Sequence, residues 1–260
     1  LSAFFKAVEG GGGDCVATVK NIGSIGPLSI LEAKMLQDGQ RGVVIQRDRK
    51  TYAVAPHLPC GVTTPAMLRK IADVAEKYHA AAVKCTSAQR IAIVGIAEED
   101  VDSVWKEFGE YRPGHMVGDV VRSVKACPGT QFCKRAWQDS LQVGLELDAK
   151  YHGKHLPGKF KIGVAGCPNQ CAETSIKDIG LIGGRHGWLI MVGGAGGSFP
   201  RLGKQLLEEE VPTTKALALV DALVKFFSDN AEPGERFGDL IDRITFKKVQ
   251  AAVMAVMGAA

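Results

Sequence analysis

No run of the chain approaches the roughly 18 uninterrupted apolar residues that a helix needs to cross a bilayer. The nearest is the alanine- and methionine-rich stretch at the C-terminus. Nothing near Leu1 has the charged, then apolar, then small-residue succession of a secretory leader, so a soluble, cytoplasmic protein is expected. Aromatic residues are few, at 7%, and the basic residues are scattered rather than interleaved with them. That pattern lacks the stacking platforms of a nucleic-acid surface. The net charge of +4 is mild and suits a small anion better than a polymer. Seven cysteines is an odd number, and without an export signal it argues against a disulfide framework. What remains is ordinary globular composition, 46% apolar and 23% charged over 260 residues, enough for one large core or two modest domains.

Four cysteines fall into two tight pairs, Cys127 with Cys133 in "ACPGTQFC" and Cys167 with Cys171 in "GCPNQC". Proline follows the first member of each, which sharpens the turn and removes a backbone donor. Each pair sits in a loop leading into a helix, where free N–H groups face any bound anion. Structural zinc takes closer pairs, and the gap between Cys127 and Cys133 is wide for it. An iron–sulfur cube, whose irons are spread over a few ångströms, suits the spacing better, with zinc and plain core packing as the alternatives. Isolated Cys15, Cys60 and Cys85 read as small buried apolar side chains.

Around these pairs the pattern is mixed α and β. A glycine run, "EGGGGD", precedes a helix near "SILEAKMLQ". From Arg41, "RGVVIQRDRKTYAVAP" alternates like a hairpin, and "TTPAMLRKIADVAEKYH" is an amphipathic helix with Pro65 near its start. "AAVKC" and "RIAIVGI" read as strands, and "EEDVDSVWKEFGEY" as a helix, giving a small two-layer subdomain. Further on, "QFCKRAWQDSLQVGLELDAKYHG" reads as one helix and "KFKIGVAG", "DIGLIGG" and "GWLIMVGG" as strands. "TTKALALVDALVKFFSDN" and "RITFKKVQAAVMAVMG" read as C-terminal helices.

The run "VRSVKACPGTQFCKRAWQDSLQVGLELDAKYHG", with "KFKIGVAGCPNQCAETSIKDIGLIGG" and "GWLIMVGGAGG", closely resembles the sirohaem-binding, iron–sulfur domain of the sulfite and nitrite reductase family. The stretch "YAVAPHLPCGVTTPAMLRKIADVAEKYHAAAVKCTSAQRIAIVGI" resembles the ferredoxin-like half-domain that precedes it there, so the resemblance covers roughly residues 41–245. It implies an α+β fold with an N-terminal extension (1–40), a ferredoxin-like half-domain (41–112), a sirohaem/[4Fe–4S]-binding α/β domain (113–245) and a C-terminal helix (246–260). It implies that Cys127, Cys133, Cys167 and Cys171 hold a [4Fe–4S] cluster, Cys171 also bridging to the sirohaem iron.

The family reduces its oxyanion beneath a group of cations. By motif these are Arg122 and Lys159 with Lys161, which alternate along a strand and so share a face. His57 stands in "APHLPCG" where the family often has arginine, and Cys60 where glycine is often found. His57 is therefore either a proton donor or one charge fewer in the pocket. The carboxylates of sirohaem need cationic and hydrogen-bonding partners, for which Arg47, Lys50, Lys84, Thr86, Gln89, Arg90 and Arg201 are the candidates. Asn169 and Gln170 read as turn residues beside the cluster, and the glycines of "VGGAGGS" allow backbone to approach the macrocycle. Six-electron reduction of sulfite is the expected activity, with reduction of nitrite or a non-catalytic electron-transfer role as alternatives. The sequence carries no nucleotide-binding fingerprint, so electrons are expected from a ferredoxin-like donor or a partner redox subunit. Larger family members carry this unit twice, which leaves a monomer or a homodimer open.

Overall fold

The computed structural model describes residues 35–258. The glycine run, Cys15 and most of the helix read near "SILEAKMLQ" lie outside the described residues.

Strands β1 (Val43–Ile45) and β2 (Thr51–Val54) pair antiparallel across a turn closed by Asp48, whose carboxylate accepts from the Lys50 and Thr51 N–H groups at 2.9 Å. Helix α1 (Pro65–Lys77) starts where expected: the Thr64 hydroxyl accepts from Met67 N–H at 3.1 Å, and Pro65 occupies the first turn, where its missing donor costs nothing. Its buried Met67, Ile71 and Val74 lie on one face. Strands β3 (Ala82–Cys85) and β4 (Ile91–Ala97) and helix α2 (Val101–Phe108) complete the half-domain. Its sheet is antiparallel in the order β1-β2-β4-β3. Tyr52, Val54, Ile93 and Ile96 pack with Met67, Ile71, Val104 and Phe108 in one core.

The second layer begins at β5 (Lys125–Ala126), followed by a one-turn helix α3 (Gly129–Phe132) and α4 (Ser140–Tyr151). Strands β6 (Ile162–Ala165), β7 (Ile179–Gly183), β8 (Trp188–Val192) and β9 (Lys204–Gln205) extend the sheet in sequence order. The β5, β6 and β7 strands run parallel and the rest antiparallel. Every residue of β6 and β7 is buried, as expected of parallel strands covered on both faces. Helices α5 (Thr213–Asn230), α6 (Phe237–Ile244) and α7 (Phe246–Gly258) close the domain, with Phe160, Phe227 and Phe237 clustered at its centre.

Two helix readings change. The helix expected from Gln131 begins only at Ser140, because the Asp139 carboxylate caps it by accepting from Gln142 N–H at 3.0 Å and the chain before it is drawn into the cysteine loop. The helix expected from Arg243 is two helices broken at Thr245, whose φ is +79°. Cys60 is buried as expected, and burial pushes its thiol pKa up; Cys85, by contrast, is exposed on the edge strand β3. Among the described residues no helix is long and apolar enough to cross a membrane.

The half-domain is fastened to the second domain beside the first cysteine pair. The Gln89 amide donates to Ala126 C=O at 2.7 Å and accepts from Ala126 N–H at 3.0 Å, extending the sheet edge with a side chain. Replacing Gln89 with alanine orphans both backbone groups, for an expected stability loss of about 1–3 kcal/mol. Urea unfolding of the variant against the parent measures it.

Candidate functional site

Because β5 and β6 are parallel and in register, Ala126 opposite Val164, their following loops leave from the same edge of the sheet. The first loop carries Cys127 and Cys133, and the second carries Cys167 and Cys171. Cys127 is buried, and its sulfur accepts from the Gly166 N–H at 3.1 Å and meets the Ser140 hydroxyl at the same distance. Trp137 N–H donates to Gly166 C=O at 2.7 Å, tying one loop to the other. Glycines make this approach possible. A Cβ on Gly129, where φ is +61°, would lie 2.7 Å from Ser140 N, and one on Gly166 would lie 2.7 Å from Gln138 O. In the second loop Gln170 turns the chain at φ +49° and accepts from Thr174 Oγ1 at 2.8 Å and Ser175 N–H at 3.1 Å. Asn169 beside it is exposed.

Among the described residues no three cysteine, histidine or carboxylate side chains converge tightly enough for a single metal ion. Four thiols on two adjoining loops, one already accepting a backbone N–H, fit a cube, which takes one thiolate at each corner, better than a tetrahedral zinc ion.

Next to these loops a cavity of about 400 Å³ opens between the half-domain and the parallel strands. Ser87 and Arg90 come from the β3–β4 turn, and Arg122, Ser123 and Lys125 from the approach to β5 and its first residue. Lys159 and Lys161 come from the approach to β6, and Glu173 and Lys177 from the segment before β7. Six cations thus face one carboxylate. Arg90 donates to the Gly114 and His115 carbonyls, and Arg122 to those of His115 and Gly118. The Nε of each arginine remains buried without a partner; so does the Thr86 hydroxyl, although Thr86 itself lies outside the cavity lining. Orphaned donors in a cationic cavity are what a polycarboxylate ligand such as sirohaem would satisfy.

Crowding and burial weaken the hold of these groups on their protons. Burial, reinforced by Lys159, Lys177 and Arg236, lowers the Lys161 pKa to about 8. Burial and the neighbouring Arg90 lower that of Arg122 to about 10. Burial, with Arg236 and Arg122, also lowers Lys159. Glu173 bridges Lys125 at 2.9 Å and Lys177 at 3.0 Å, and these bonds hold its carboxyl below the usual range. Lys177 can lie across the sheet because Gly163 has no side chain: a Cβ there would meet the lysine Cγ at 2.9 Å. Asp178, fully buried, accepts from Lys161 N–H at 2.8 Å and from Arg236 at 2.7 Å, fixing the backbone from which Lys161 projects.

Of the residues singled out from sequence, the cavity brings together Arg90, Arg122, Lys159 and Lys161. Others lie elsewhere. Arg47 and Lys50 are exposed in or beside the β1–β2 turn. Lys84 is exposed on β3, donating to Cys85 C=O. Arg201 is paired with Asp239 at 3.2 Å and Asp242 at 2.5 Å on α6, and the Gln89 amide is taken by Ala126. His57 is buried outside the cavity lining, its Nε2 2.6 Å from Asp148. Ser87, Ser123, Lys125, Glu173 and Lys177 were not singled out. Alternation could have found Ser123 and Lys125, two residues apart in "VRSVKAC", with Val124 and Ala126 between and after them in the core.

Comparison with known proteins agrees with this geometry. Residues 117–260 match the nitrite and sulphite reductase 4Fe–4S domain, and residues 44–111 the nitrite/sulfite reductase ferredoxin-like half domain. The chain is 37% identical over 219 residues to an assimilatory-type sulfite reductase of Nitratidesulfovibrio vulgaris, covering 84% of this chain and all of that one. It is 38% identical over 209 residues to the nitrite reductase [NAD(P)H] of Bacillus subtilis, covering 80% of this chain but 26% of that one. A solved dissimilatory sulfite reductase I shares the fold at a TM-score of 0.70 and 16% identity, over 78% of this chain and 69% of that one. Family members bind sirohaem and a [4Fe–4S] cluster. Two adjoining family domains, matched in order and meeting at the cationic cavity beside the cysteine loops, establish that the chain belongs to the nitrite and sulphite reductase family.

Proposed function

We propose that this chain reduces sulfite to sulfide with electrons from a separate ferredoxin-like donor or partner redox subunit. The observation that carries the proposal is the cavity, where six cations face one carboxylate and the Nε of Arg90 and of Arg122 lacks a partner. The match to a sulfite reductase over that relative's whole length favours sulfite over nitrite. Cys127, Cys133, Cys167 and Cys171 would hold the cube, and the cavity cations would hold sirohaem. Together those groups supply single-electron transfer to a bound oxyanion.

The chain's own residues do the rest. Arg122, Lys159 and Lys161 attract the anion and offset charge on oxygens that leave as water. Lys161, charged below pH 8 and neutral above it, can release a proton near neutral pH. Glu173 keeps Lys125 and Lys177 extended along the wall.

Protein purified without oxygen is expected to show a reduced-tetrapyrrole spectrum with about five irons and four acid-labile sulfides per chain. With a viologen donor, kcat/KM for sulfite is expected to exceed that for nitrite. The reverse order would assign the protein to nitrite. Four irons with no tetrapyrrole band and no turnover after sirohaem reconstitution would make it an electron carrier.

The lowered Lys161 pKa sets a pH dependence. Because the amine is charged below about 8, kcat/KM for sulfite is expected to hold below that pH and fall as pH rises through it. Lys161→Arg should move the fall to higher pH, and Lys161→Ala should raise KM about 10- to 100-fold at pH 7. Initial rates over a pH series measure both.

A further inference from the structure

One wall of the cavity is neither cationic nor apolar. Ser123, buried except toward the cavity, has a single hydrogen-bond partner among the described side chains, the His57 ring, at 3.4 Å from Nδ1. The opposite ring nitrogen, Nε2, is 2.6 Å from Asp148 Oδ2, and Asp148 Oδ1 accepts from Val124 N–H at 2.9 Å. Asp148 itself is buried. His152 stacks flat on His57, ring centroids 3.4 Å apart, and shields that face of the imidazole from water. Burial and the neighbouring His57 ring lower the His152 pKa, which favours a neutral ring in the stack.

We propose that Asp148, His57 and Ser123 form a proton relay, with Ser123 the group that donates into the cavity. The proposal rests on the reading that an oxyanion is reduced there. Asp148 fixes which nitrogen faces which way: Nε2–H donates to the carboxylate, so Nδ1 is committed to Ser123. In the neutral ring Nδ1 accepts the serine hydroxyl, and in the imidazolium it donates to the serine oxygen and turns the hydroxyl hydrogen outward. The proton then moves in two linked transfers. Ser123 O–H breaks as an O–H bond forms on the substrate oxygen leaving as water, and the His57 Nδ1–H bond breaks as Ser123 regains its proton. The ring is left neutral with its Nε2–H on Asp148, and recovers a proton from cavity water through Ser123. The electrons that cleave the S–O bond come from the donor. Ser123 touches the substrate in this scheme, whereas Asp148 acts through His57 and is a positioning residue.

The test uses the holoenzyme with Ser123→Ala, Ser123→Thr, Asp148→Asn and His57→Gln, each checked for iron content. Turnover of sulfite is measured in H2O and D2O, and sulfite affinity by calorimetry on the oxidised enzyme. The expected result is a fall in kcat of about 10- to 100-fold for Ser123→Ala and Asp148→Asn. It comes with a larger solvent isotope effect, unchanged sulfite affinity and most of the rate restored in Ser123→Thr. Unchanged kcat in Ser123→Ala would overturn the relay, and so would kcat and affinity falling together. Should the buried His57 or Asp148 variant not fold, the Ser123 pair carries the decision alone. A parent enzyme that turns over no oxyanion would instead remove the proposed function, and the relay with it.

Discussion

The constraint on which the site depends is uncompensated positive charge. Arg90, Arg122, Lys125, Lys159, Lys161 and Lys177 share a cavity wall with one carboxylate, Glu173. Burial and mutual repulsion would drive such groups apart or strip their protons, and the lowered values of Lys161 and Arg122 register that pressure. Glu173 holds Lys125 and Lys177 from within the cavity wall, and Arg90, Arg122 and Lys161 are held by backbone or by groups outside the lining. Backbone carbonyls of Gly114, His115 and Gly118 hold the two arginines, and the buried Asp178–Arg236 pair anchors the strand approach carrying Lys161. A site preorganised in this way relaxes electrostatically only when anions enter.

The same two strands carry both halves of the site. Lys125 and Cys127 are two residues apart, about 7 Å of extended chain, and Glu173 follows Cys171 by two. Parallel pairing of β5 with β6 brings both cysteine loops to one sheet edge. The Gln89 amide clamps Ala126, immediately before Cys127, so the half-domain contributes a cavity wall and steadies the first thiol. Fold and site are therefore one mechanical unit.

Much of this was legible in the sequence. Thr64 and Pro65 marked the start of α1, and uninterrupted apolar runs marked β6 and β7, because these signals are local. Lys159 and Lys161 were found through their spacing and motif. What could not be read were choices made by distant partners. Arg201 looks as available as Arg90 until Asp239 and Asp242 arrive on α6, and Gln89 looks like a ligand until Ala126 takes both ends of its amide. Lys177 reaches the cavity only because Gly163, on another strand, leaves room. The false start of α4 at Gln131 has a related cause: loop closure around Cys133 outweighs the helix propensity of the residues after it.

His57 and Cys60 stand where the family often has arginine and glycine. Both face the same helix. Gly144 and Asp148 on α4 and His152 at its end are spaced by four and form one stripe. A Cβ on Gly144 would lie 3.0 Å from the Cys60 sulfur, while Asp148 and His152 enclose the His57 ring. Each departure thus has its own local complement in the seam between half-domain and second domain: a missing side chain beneath a larger one, and a carboxylate beside an imidazole. Neither lines the cavity, and the six cations that do are present. The seam thus accommodates both residues while the cavity keeps its cations, and it leaves the His57 ring beside Ser123 on the cavity wall.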